Sequence, residues 1–114
     1  MSWSLFSRSG HGPDPDSVDL ADLQQAVDAD ACTVVDVREP HEFAAGHIPG
    51  ALNMPMSSFD PHELPQGKPV VLICGSGKRS HNALGRARAA GRKDLKHYAG
   101  GMTGWRSQNG AVTV

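Results

Sequence analysis

The chain is short of cysteine, of long apolar runs and of net charge, and each shortage removes a class of protein. Two cysteines in 114 residues cannot build a framework of several disulfides, and neither belongs to a Cys-x-x-Cys pair of the zinc or thioredoxin kind. A reducing compartment is the simpler expectation. No apolar run approaches the ~18 residues of a membrane span, and Met1 to Arg8 lacks the apolar centre of a secretory signal. These features predict a soluble cytoplasmic protein with no membrane partner. Eleven lysines and arginines against 12 aspartates and glutamates leave no basic field to gather nucleic acid. The six histidines, His11, His41, His47, His62, His81 and His97, show no metal-ligand spacing and read as surface or locally bonded side chains, so no metal is expected. There is no internal repeat, heptad or low-complexity block, and 114 residues suit one small domain with one core.

What remains is an alternation of short apolar strands and helices. Residues 1–16, rich in Ser, Gly, Pro and Asp, have no sustained period and read as a mobile N-terminal tail carrying Trp3 and Phe6. The domain is expected over residues 17–108, with 109–114 as a C-terminal tail. Asp19 is placed to cap a helix whose Leu20, Leu23 and Val27 recur at helical spacing. Cys32 to Val37 reads as a buried strand, and Pro40 opens a helical turn that Gly46 closes. Ala51 to Asn53, Val70 to Ile73 and Lys96 to Tyr98 supply further strands, and the alanine-rich stretch Asn82 to Ala90 favours helix. Trp105 is expected as a core anchor behind a tight turn at Gly100 and Gly101. This order predicts an α/β fold with a mainly parallel central sheet, whose sites gather beyond the carboxyl ends of its strands.

The run Val70-Val-Leu-Ile-Cys-Gly-Ser-Gly-Lys-Arg-Ser80 puts a cysteine at such an end, at the mouth of a glycine-rich loop. A loop that curls around the Cys74 sulfur turns its amides, and the first free amides of the following helix, into an anion cradle. Gly75 and Gly77 permit close approach of backbone, and Lys78 and Arg79 add positive charge. All of these favour thiolate over thiol. Cys32 reads as a small core hydrophobe, with a resolving thiol for an oxidised Cys74 as the alternative. His81 follows the loop directly, where a ring facing the mouth would modulate the Cys74 thiol.

Cys74 to Ser80 resembles the active-site loop of rhodanese-type sulfurtransferases. Asp36-Val-Arg38, Glu42-Phe43, Gly46-His-Ile-Pro-Gly-Ala-Leu-Asn53 and Gly100-Gly-Met-Thr-Gly-Trp105 resemble further signatures of that family, in the family's order. The resemblance spans roughly residues 17 to 108. It implies a rhodanese-like fold, a small parallel sheet flanked by helices on both sides, in a monomer or weak homodimer that needs no cofactor. It implies that Cys74 takes a sulfane sulfur from a small sulfur-containing anion such as thiosulfate, or from a protein persulfide, and passes it to a thiol or cyanide. Gly75, Ser76, Gly77, Lys78, Arg79 and Ser80 would bind the donor, Arg79 first through its planar fork. Asp36 and Arg38 would form an ion pair supporting the loop. Many thiosulfate-using members carry a cation directly after the cysteine, where this chain has Gly75, which favours a persulfide donor.

Two rivals follow from the same residues. Dual-specificity phosphatases resemble enlarged rhodaneses with cysteine and arginine one residue further apart. Here Arg79 stands five places after Cys74, a ring too small for a phosphoryl group, and a phosphatase or arsenate reductase would also need a general acid, for which the sequence offers no obvious candidate beyond Asp36 or Glu42. Rhodanese-like domains also serve as binding or regulatory modules, typically without the cysteine that this chain retains.

Overall fold

The structure, a computed structural model, describes residues 16–114. The expected tail, with Trp3 and Phe6, therefore lies outside the described residues except for Asp16. Helix α1, Leu20–Asp28, begins where the Asp19 carboxylate accepts the Asp22 amide at 2.9 Å, and it turns Leu23 and Ala26 inward. Strand β1, Thr33–Asp36, is followed by α2, Pro40–Ala44, with proline in its first turn. Next come β2, Leu52–Asn53, and two single-turn 3-10 helices at Met56–Ser58 and Pro61–Glu63. Strand β3, Val70–Ile73, leads to α3, Lys78–Ala89, then β4, Leu95–His97, and α4, Gly101–Ser107.

The four strands pair in the order β2-β1-β3-β4, all parallel, which makes the expected mainly parallel sheet entirely so. Thr33 stands opposite Val70 and Asp36 opposite Ile73, so β1 and β3 end together. Successive side chains of a strand point to opposite faces, and each face here has its own helical cover. Val34, Val71 and Ile73 pack with Leu23 and Ala26 of α1 and with Met102 and Trp105 of α4. Val35, Val70, Leu72 and Leu95 pack with Ala83, Leu84 and Ala87 of α3 and with Phe59 and Leu64. Both faces of β3 are buried, which is why its sequence is a continuous apolar run. Among the described residues no helix is long and apolar enough to cross a membrane.

Two elements depart from expectation near the active loop. Helix α3 starts at Lys78 rather than Asn82, a full turn earlier, so Lys78, Arg79 and Ser80 belong to its first turn and the loop proper ends at Gly77. Gly77 makes this junction possible, since its φ is +97° and a Cβ there would collide with the Ala99 carbonyl. Helix α4 was not anticipated, because three of its flanking and interior residues are glycines and it is only 7 residues long. It is held by tertiary contacts: Met102 N–H donates to the Cys74 carbonyl at 2.7 Å and Thr103 N–H to the Gly75 carbonyl at 3.1 Å. Gly101 sits in the left-handed region at φ +62°, where a Cβ would run into those same carbonyls. Trp105 is 2% exposed, and its indole N–H donates to the Ala111 carbonyl at 2.8 Å. Nearer the end of the chain, Thr113 and His47 exchange two backbone hydrogen bonds of 2.9 Å.

Candidate active site

Cys74 follows the last residue of β3, in the layer between the sheet and α3, and its side chain is fully buried. The loop carbonyls of Cys74 and Gly75 face α4 and are taken up by its amides, which leaves the loop amides to face the sulfur. Gly77 N–H donates to Cys74 Sγ at 3.0 Å, and Ser80 Oγ lies 3.6 Å from the same sulfur. Burial alone would raise the thiol pKa. Hydrogen bonding from the Ser80 backbone and hydroxyl, and from the Gly77 and Ser76 amides, outweighs it and lowers the pKa below its ordinary value. The downward push comes from hydrogen-bond donors rather than from Lys78, which is exposed.

The other cations are engaged. Arg79 extends its fork to the Glu42 carboxylate at 2.7 and 3.1 Å, tying α3 to α2. Asp36 is buried at the end of β1 and accepts from the Arg38 amide at 3.0 Å, from Nε at 3.0 and 3.1 Å, and from Nη2 at 2.8 Å. Arg38 also donates to the Glu42 and Gly46 carbonyls at 3.2 and 2.7 Å, so it ties down the middle of α2 and the turn that follows it. Asn53 braces the same corner, its amide donating to the Asp36 and Arg38 carbonyls at 3.0 and 2.9 Å. A cleft of about 310 Å³ opens beside the loop, lined by Glu42, Gly75, Met102 and Thr103 with Arg38 and Arg106. Arg38 and Arg79 are neutralised by Asp36 and Glu42, whereas Arg106 donates to the Gly46 carbonyl at 3.3 Å and, among the described residues, pairs with no carboxylate. Arg106 therefore gives the cleft its net positive charge.

The Glu42 pair carries a pH signature. Its carboxyl is lowered from 4.5 to about 2, first by the side-chain hydrogen bonds from Arg79, against a raising effect of burial, and further by the Glu39 amide. A folded pKa below the unfolded one contributes stability above about 4.5 that is lost as pH falls through about 2. In thermal melts, the advantage of the wild type over Glu42→Gln is expected to be constant above that window and to shrink within it. A difference that stays flat down to the lower limit would show that the pair adds no charge-dependent stability.

The described histidines follow the local reading in part. His47 stacks on Phe43 and places Nδ1 2.8 Å from its carbonyl. His81 is exposed beside the loop. His97 departs from that reading: it is 4% exposed, with Nδ1 3.0 Å from Ser80 Oγ. Nothing in the sequence signalled this contact, because the two residues are 17 positions apart and meet only because α3 packs against β4. Arg106 and the pairing of Glu42 with Arg79 were missed for the same reason. Cys32, in contrast, sits where a resolving thiol cannot work. It precedes β1 opposite Pro69, five strand positions before Cys74 or about 16 Å at ~3.3 Å each, beyond the ~7 Å Cα limit for a disulfide. Burial pushes its pKa up to about 11, the behaviour of an inert core thiol.

A cysteine with a lowered pKa, ringed by amides at the carboxyl end of a parallel strand, is the setting of a stabilised thiolate. Comparison with known proteins agrees. The Rhodanese-like domain family matches residues 19–108, and the chain belongs to that family. It is 47% identical over 94 residues to the uncharacterized protein slr1261 of Synechocystis, covering 81% of this chain and 52% of that one. A sulfurtransferase of Allochromatium vinosum is 34% identical over 84 residues, 72% of this chain and 78% of its own. The human single-domain sulfurtransferase TSTD1 superposes with a TM-score of 0.72 at 29% identity, covering 84% of this chain and 99% of TSTD1. The chain spans about half the length of several curated relatives it matches.

Proposed function

We propose that the chain is a sulfurtransferase that carries sulfane sulfur on Cys74. The observation that supports this best is the Gly77 amide 3.0 Å from Cys74 Sγ, in a ring that lowers the thiol pKa. In the first half-reaction the Cys74 thiolate attacks the outer sulfur of thiosulfate or of a protein persulfide. The S–S bond of the donor breaks, and its electron pair leaves on sulfite or on the donor thiolate. Cys74 is left as a persulfide whose charged outer sulfur is received by the amides of Gly75, Ser76 and Gly77. An acceptor thiolate or cyanide then attacks that outer sulfur, and the pair returns to Cys74 Sγ. Both steps conserve charge and need no cofactor.

The residues divide the work. Cys74 is the nucleophile, and Ser80 and Gly77 stabilise charge on it. Arg106 meets an anionic donor at the cleft, while the fork of Arg79 is held by Glu42. Lys78, exposed on the first turn of α3, lends charge at the rim. Asp36 and Arg38 hold α2 and so the wall that carries Glu42. The short spacing from Cys74 to Arg79 keeps the ring small, which disfavours phosphate esters.

Intact-mass spectrometry tests the reading. After thiosulfate, or a low-molecular-weight persulfide, the protein is expected to gain the mass of one sulfur atom and to lose it on adding cyanide. No gain from either donor would refute the proposal and favour a binding module.

A further inference from the structure

The Ser80 hydroxyl faces more groups than it has protons. Its oxygen lies 3.6 Å from Cys74 Sγ, 3.1 Å from the Gly77 carbonyl oxygen and 3.0 Å from His97 Nδ1. A serine hydroxyl gives one proton and receives with two lone pairs, and a carbonyl can only accept. The state of Nδ1 therefore decides what the sulfur meets. A bare Nδ1 draws the serine proton to itself and turns lone pairs toward Cys74, which suits a thiol donating its S–H and repels a thiolate. A protonated Nδ1 donates to Ser80 and leaves the serine proton to the Gly77 carbonyl or the sulfur, of which a charged thiolate is the stronger acceptor.

We propose that His97 is a positioning residue whose Nδ1–H holds Ser80 so that the serine proton points at Cys74 Sγ, keeping that sulfur a thiolate between half-reactions. This deepens the sulfurtransferase reading and rests on it for Cys74 as nucleophile. When an acceptor discharges the persulfide, the S–S bond breaks and its electron pair returns to Cys74 Sγ. The Ser80 proton meets the returning charge as a hydrogen bond, and no proton is transferred.

The site is built for such a relay. Ser80 is fully buried and His97 is 4% exposed, so water does not compete for these bonds. The imidazole is anchored by its backbone on both sides, His97 N–H donating to the Asp16 carbonyl and its own carbonyl accepting from Val18, each at 3.0 Å. The titratable and charged groups around the relay, among the described residues, come from each packed element. Cys74 faces it from the end of β3. His81 of α3 has its ring centroid 5.5 Å from that of His97, at 58°. Arg79, on the same turn, is paired with Glu42 of α2. A charge on His81 would oppose one on His97, and the relay does not need one: the neutral ring with its proton on Nδ1 suffices.

The pH dependence of Cys74 alkylation by iodoacetamide reads the thiolate without any sulfur donor. His97→Leu is expected to raise the apparent pKa of Cys74 by about one unit, the size of a lost hydrogen bond to a charged group. Ser80→Ala should do the same, and the double variant should go no further, because both changes break one chain. His97→Asn, whose amide N–H stands near the position of Nδ1–H, should keep most of the wild-type profile. If His97→Leu does not fold, His97→Gln replaces it, with its amide one bond too far out. An unmoved profile in these variants, or shifts that add in the double variant, would overturn the proposal. A raised profile in a protein that takes up no sulfur would support the role of His97 while refuting the sulfurtransferase reading.

Discussion

Cys74→Ser is expected to abolish sulfur transfer, with kcat/KM falling by a factor on the order of 10⁴ or more and no sulfur adduct by intact mass. The substitution keeps the shape of the side chain, and the Gly77 amide and Ser80 hydroxyl remain as partners, so the fold should survive. What is lost is the ionised nucleophile, since a serine hydroxyl has no comparable thiolate-like state near neutral pH. An adduct that persists on the variant would move the carrier to Cys32, the other thiol of the chain. The geometry opposes that outcome, because Cys32 is buried with its pKa pushed up to about 11.

Asp36→Ala should cost about 3–5 kcal/mol of folding stability, a large share of the ~5–15 kcal/mol of an ordinary domain. The reason is the guanidinium left behind. Arg38 is 5% exposed and directs three of its bonds to Asp36, so removing the carboxylate strands a positive charge away from water. Its remaining bonds, to the Glu42 and Gly46 carbonyls, cannot neutralise it. Denaturant unfolding measures the loss directly. A cost below about 1 kcal/mol would mean that water reaches Arg38 and that the pair is not sealed. Because Arg38 also pins α2, the variant should lose activity in step with the disorder of the wall that carries Glu42.

These two residues mark different degrees of legibility. Cys74 announced itself, because a β-branched run followed by Gly-Ser-Gly and an alanine-rich stretch is a local pattern, and the strand ends at Ile73 as the run does. Asp36 and Arg38 were legible as a pair two residues apart, yet their hold on Gly46 and Glu42 was not, since it depends on where α2 settles. The early start of α3 was hidden by glycine, serine and cations that propensity reads as loop, and Gly77 at φ +97° lets the helix begin there regardless. Helix α4 was hidden more deeply, because its own residues do not favour it and the carbonyls of the active loop supply the acceptors for its first turn.

The amino-acid pattern alone was enough for the architecture and for placing Cys74 at the carboxyl end of a strand. Strand and helix periods, the continuous apolar run of β3 and the glycine-rich turn are properties of neighbours along the chain, and burial of those runs leaves few other arrangements. The electrostatic character of the site is another matter. Whether Arg79 or Arg106 is available to an anion, whether Cys32 can reach Cys74, and which histidine touches Ser80 depend on distances between residues far apart in sequence. Those distances are set by the packing of helices on a parallel sheet. At a few ångströms, a carboxylate from another element can take up a cation that the sequence leaves beside the cysteine, as Glu42 does with Arg79.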